Sequence, residues 1–216
     1  MKKFYPAVLD ESQKVVLPKL SFLSEKGYYL AGETALALQL GHRTSIDFDF
    51  YTPQHFDSDE LIGEIKKRFG EKAIETLKEK DTLFANIAGV DVSFFGYKYP
   101  LIKKTVLFRG VPLASLEDIA AMKLIAITHR PVKRDYIDIF FLLRGFDLAQ
   151  ILSLVGRKYP NFNQYLALRA LTYFEDIKDK EEKRPVKVLE SSFSWERAKK
   201  TIFEEVKKYQ LGLLKK

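Results

Sequence analysis

Cysteine is absent from this 216-residue chain, which excludes disulfides and any thiolate metal site. No apolar run approaches the roughly 18 residues that a membrane-spanning helix needs. The opening stretch MKKFYPAVLDES also lacks the apolar core of a secretory signal. Asn and Gln together number only nine beside many Lys and Glu, a bias met in heat-adapted proteins. Repeats and low-complexity segments are missing too. These absences lead us to expect a cytoplasmic protein with no membrane part.

What is present is a globular composition, 46% hydrophobic and 30% charged, in a chain long enough for one large domain or two small ones. The net charge of +7 and the pI of about 9.3 permit nucleic-acid binding and equally serve solubility.

The most informative stretch is YYLAGETALALQLGHRTSIDFDF, residues 28–50. Tyr28 to Ala31 suits a buried strand, Gly32 allows a tight turn, and Glu33 to Leu40 reads as a helix stopped by Gly41. Ser45 to Phe50 alternates strictly. That places Ile46, Phe48 and Phe50 on one strand face and Asp47 and Asp49 on the other. A helix N-terminus beside a glycine turn offers N–H groups to a phosphate, and paired aspartates offer hard oxygen ligands to Mg²⁺. An alternating strand with two solvent-facing aspartates is also common without any such role.

The spacing of turn, helix, loop and Asp-x-Asp strand resembles the signature of the polymerase-beta-like nucleotidyltransferase superfamily. Within it, LAGETALALQLGHRTSIDFDF is similar to the AbiEii-type toxin family and its AGGTALAL…GHR.S.D.D pattern. The resemblance implies metal ligation by Asp47 and Asp49 and nucleotide contacts from Gly32, Glu33, Thr34, Arg43 and Ser45. The chain departs from the pattern at Glu33, where most members carry Gly or Ser. Glu there adds bulk and negative charge beside the phosphate path, yet an acid in a first helical turn also suits the helix dipole.

Elsewhere the periodicity predicts a helix over 10–26, with Val15, Val16, Leu20 and Leu23 as its apolar stripe and a kink at Pro18. A helix over 59–69 follows, capped by Asp57 or Ser58 and ended by Gly70, while 71–79 is ambiguous. A hairpin spans 83–95 with its turn near Gly89, and one short strand spans 106–113. Asp91 is a lone acid on the second hairpin strand. The superfamily resemblance makes it the third metal ligand, against the simpler reading of a surface acid on an edge strand.

Ser115 and Asp118 form a capping signature for a helix running to about His129, apolar nearly all round except for Lys123. A buried lysine should meet a carboxylate or a phosphate. The next helix, about 133–143, carries Asp135 and Asp138 on one face. LEDIAAMKLIAITHRPVKRDYIDIFFLL resembles the family's second signature, which implies Lys123 as a phosphate or base contact and Asp135 as an active-site acid. An ion network joining two helices explains the same three residues. Further helices are expected near 147–157, 161–176 and 194–210, with a charged loop at 176–185. From Trp195 onward seven Lys or Arg face three Glu, a tail that suits RNA or merely solvent.

The expected fold is α/β, with a nucleotidyltransferase-like mixed sheet over 1–114 and a helical domain over 115–216. The resemblance implies an Mg²⁺-dependent enzyme that moves a nucleotide from an NTP to an acceptor hydroxyl. Its acceptor would be tRNA or another RNA, and an antitoxin protein its partner. The alternative is a binding module for NTP or RNA with catalysis weakened by Glu33. A third reading gives Asp47 and Asp49 a purely structural metal.

Overall fold

The structure is a computed structural model, described here for residues 3–175, 177 and 187–215. It divides into two compact units, Met1–Ser115 and Leu116–Lys216. The charged loop expected at 176–185 lies outside the described residues apart from Ile177.

The first unit is built on a seven-stranded mixed sheet. Its strands are β1 (Tyr29–Ala31), β2 (Asp47–Thr52), β3 (Ala73–Glu79), β4 (Thr82–Ile87), β5 (Val90–Gly96), β6 (Val106–Phe108) and β7 (Val111–Leu113). They run in the order β3-β4-β5-β2-β1-β7-β6. β2 lies at the centre, antiparallel to β1 and parallel to β5. Its alternation has the expected consequence, since Phe48 and Phe50 are fully buried and Phe50 stacks on Phe94 of β5 at 5.6 Å. Each such side chain stabilises the fold by about 1.5–3 kcal/mol.

Three helices accompany the sheet: α1 (Glu11–Lys19), α2 (Gly32–Leu40) and α3 (Ser58–Phe69). The middle of α2 is apolar all round, and Ala35, Leu36, Ala37 and Leu38 are completely buried. Asp57 caps α3 by accepting from Asp59 and Glu60 N–H groups.

Several expectations need correction. α1 does not kink at Pro18 but ends at Lys19, and a 3-10 helix over Ser21–Lys26 continues. Val15 is 59% exposed rather than part of the buried stripe. Ile46 precedes β2 and is 53% exposed, because pairing with β5 begins only at Asp47. Residues 106–113 are two three-residue strands joined at Arg109 and Gly110, not one strand. The ambiguous stretch is the edge strand β3, held by a bulged pairing to β4.

The second unit consists of α4 (Leu116–His129), α5 (Lys133–Leu142), α6 (Leu148–Lys158), α7 (Gln164–Thr172) and α8 (Trp195–Leu213). α4 packs against α5, α6 and α7, and Ile119, Leu124 and Ile127 are buried on it. α8 packs on α5, α6 and α7 through Ala198, Ile202 and Val206. The mixed sheet followed by a helical bundle is the fold class expected.

Candidate active site

Antiparallel pairing sets Ala31 opposite Asp49, and the chain turns into α2 immediately afterwards. Gly32 makes this turn with φ of +66°, a conformation that side chains disfavour. A Cβ at Gly32 would lie 2.5 Å from Asp49 Oδ2. The Asp49 carboxylate therefore rests against the first residue of α2, where the helix presents N–H groups and partial positive charge.

Two residues of α2 reach the loop before β2. The Thr34 hydroxyl donates to the Asp47 carbonyl and shares a hydrogen bond with Ser45 Oγ at 2.7 Å. Thr34 and Ser45 are buried, so they hold the Asp47 backbone in place from behind. Glu33 pairs with Arg43 at 3.2 Å, and Arg43 is only 1% exposed. Arg43 also donates to the Thr44 carbonyl at 3.1 Å. The acidic departure at Glu33 thus comes with its own cation.

Parallel pairing places Asp91 level with Asp47 and Ser93 level with Asp49. Residues in parallel register share a sheet face, so Asp47, Asp49 and Asp91 point to one side. Asp91 Oδ1 accepts from Asn86 Nδ2 at 2.8 Å. Among the described residues no three His, Cys, Asp or Glu side chains converge as a ready metal site. Asp47 and Asp49 suit Mg²⁺ in kind, because this ion keeps waters and phosphate oxygens beside one or two carboxylates.

In the helical unit Lys123 Nζ lies 2.6 Å from Asp135 Oδ1 and 2.7 Å from Asp138 Oδ2. Both aspartates are fully buried and Lys123 nearly so. Asp135 Oδ2 is buried without a hydrogen-bond partner among the described residues. That leaves one acceptor of the network unused.

A second buried pair, Lys158 with Asp118 at 2.8 Å, was not foreseen. Its signal was available: Ile151, Val155 and Lys158 recur at helical spacing on one face of α6, which directs Lys158 inward. In the sequence, Asp118 shows only as part of a capping signature.

A mixed sheet bearing aligned carboxylates beside a glycine-turned helix defines a nucleotidyltransferase fold. A candidate nucleotidyltransferase from Helicobacter pylori shares it with a TM-score of 0.58 at 19% identity, covering 96% of this chain and 98% of that one. MenT4, a nucleotidyltransferase toxin of Mycobacterium tuberculosis, shares it at 0.55 and 18%, covering 89% and 82%. In sequence, residues 90–209 match the family described as nucleotidyl transferase AbiEii toxin, type IV toxin–antitoxin system. An uncharacterised protein of Aquifex aeolicus is 38% identical over 178 residues, covering 79% of this chain and 85% of its own length. The chain belongs to the AbiEii family.

Proposed function

We propose that the chain transfers a nucleotide from an NTP to an acceptor hydroxyl, with tRNA or another RNA as the acceptor. The carrying observation is the contact between Asp49 and Gly32, which sets a carboxylate against a helix N-terminus. That arrangement suits a metal-bound triphosphate, whose phosphates take the N–H groups while the carboxylates take the ion. Mg²⁺ would be held by Asp47 and Asp49, with Asp91 joining once it exchanges its Asn86 bond. When bound, the ion supplies charge neutralisation at the phosphates.

The acceptor oxygen would bond to the α-phosphorus as the bond to the bridging oxygen breaks, releasing pyrophosphate. The acceptor's proton would pass to a carboxylate. Gly32 supplies close backbone approach, while Thr34 and Ser45 keep Asp47 in position. Within the helical unit, the resemblance would make Lys123 and Asp135 an acid–base pair, with one Asp135 oxygen unused. The sheet unit would be the catalytic core and the helical unit its accessory. An antitoxin protein is the expected partner, in the cytoplasm. No helix among the described residues is long and apolar enough to cross a membrane.

The Glu33–Arg43 pair favours a second reading, a module that binds NTP or RNA with little turnover. Arg43 is committed to a carboxylate of the same chain, where a phosphate would otherwise compete for it. Incubation of the chain with Mg²⁺, total RNA and each α-labelled NTP in turn decides between them. Label on RNA that disappears in Asp47→Ala supports the enzyme. NTP binding without transfer supports the module, and Glu33→Gly should then tighten nucleotide binding.

A further inference from the structure

The central strands carry a second feature at their other end. Tyr28 precedes β1 and Thr52 closes β2, and antiparallel pairing brings those ends together. Five residue steps lead from Asp47 to Thr52, about 17 Å of extended chain. At that end lies a cavity of about 230 Å³, lined by Lys26, Tyr28, Thr52, Gln54, Phe56, Asp57 and Glu60 among others. Its volume suits a small ligand rather than a nucleotide.

Tyr28 is only 3% exposed, and its hydroxyl is buried with no hydrogen-bond partner among the described residues. Buried polar groups are satisfied in nearly all native structures, so an orphan on a residue that lines a cavity marks a place for a partner from outside. The charges indicate its sign. Lys26 is the one lysine of the lining and is already engaged, 2.8 Å from Glu64 and 3.5 Å from Glu60. Asp57 uses Oδ1 to cap α3, at 2.8 and 3.0 Å from two N–H groups, and Oδ2 takes no part in that cap. His55, also in the lining, is held by Asp81, which accepts from the Phe56 N–H at 3.2 Å as well. The cavity is thus an acidic spot on a chain whose net charge is +7.

We propose that this cavity binds a small protonated amine, through the Tyr28 hydroxyl oxygen, the Asp57 carboxylate and the oxygens of Thr52 or Gln54. An ammonium has three donors and needs three such acceptors. An anion would meet Asp57 and Glu60 without a free lysine to offset them. Burial, with the fields of Asp81 and Glu60, pushes the Tyr28 phenol well above its usual range, so it stays neutral and keeps its lone pairs for the ligand.

The test is calorimetric titration of the full chain with 1,4-diaminobutane at constant ionic strength, with thermal melting in parallel. Saturable binding of one diamine per chain and a raised melting temperature are expected. Tyr28→Phe should weaken binding about tenfold, the scale of one lost hydrogen bond to a charged group. Asp57→Asn should weaken it similarly while preserving the α3 cap. Asp47→Ala, at the other strand end, should leave it unchanged. Absence of saturable binding overturns the proposal. So does binding undiminished in both cavity variants, which would mean amines held elsewhere, and so does equal binding of tetramethylammonium, which has no N–H to donate.

Discussion

At Gly32 a single methyl group would collide with a carboxylate, and the backbone there is already in the left-handed region. Gly32→Ala should therefore cost about 1–3 kcal/mol in stability and displace Asp49. Denaturant melts would show the first effect, and loss of Mg²⁺-dependent nucleotide binding the second. Lys123 offers a different case. Lys123→Met leaves two fully buried aspartates facing each other, so about 3–5 kcal/mol of stability should be lost. Adding Asp135→Asn and Asp138→Asn should restore most of the melting temperature while nucleotide transfer stays absent. The need of Lys123 for a carboxylate or a phosphate was legible in the sequence, because a lysine in the middle of an apolar helix has few other options, and the structure supplies two carboxylates. The Glu33–Arg43 pair was not legible. Its members lie on a helix and on the loop beyond it, and only the folded turn brings them within 3.2 Å.

Among the elements, strict alternation identified β2 and the inner face of β5, since period two admits few other readings. Short strands were less readable. β6 and β7 have three residues each, too few for a pattern, so they merged into one expected strand. β3 shows six exposed residues in a row, and no alternation marks it. The end of α5 and the segment before α8 are joined by Arg144 and Glu190, whose groups meet at 2.5 and 2.9 Å. The Arg144 guanidinium, helped by Ser192, holds the Glu190 carboxyl down at about 2. An unfolded glutamate titrates near about 4.3. The folded value is the lower one, so this stabilisation is complete above pH ~4.3 and drains away as the pH falls towards ~2. Denaturant titrations at pH 3 and pH 6 should show a smaller acid loss for Glu190→Gln than for the parent. At pH 6 the cost of that change should be about 1 kcal/mol or less, as for other partly exposed pairs.

For the whole molecule, the positive balance means that the proposed contact with RNA would depend on salt. Retention on an RNA column should fall steeply between about 50 and 200 mM salt if several phosphates are neutralised. Retention unchanged by salt would point away from an RNA acceptor. The sheet also imposes an order of events on the growing polypeptide. Leu30 of β1 takes its parallel partner from Leu113 of β7, on the order of 80 residues later. The Ala114 N–H closes onto the Leu30 carbonyl at the same junction. β1, which leads directly into Gly32, therefore has one flank open until the sequence near residue 114 has emerged from the ribosome. Long-range pairing of this kind is slow to form. A nascent copy would remain incomplete beside the glycine turn for most of the synthesis of its first unit, and products interrupted before residue 113 would lack this flank of β1.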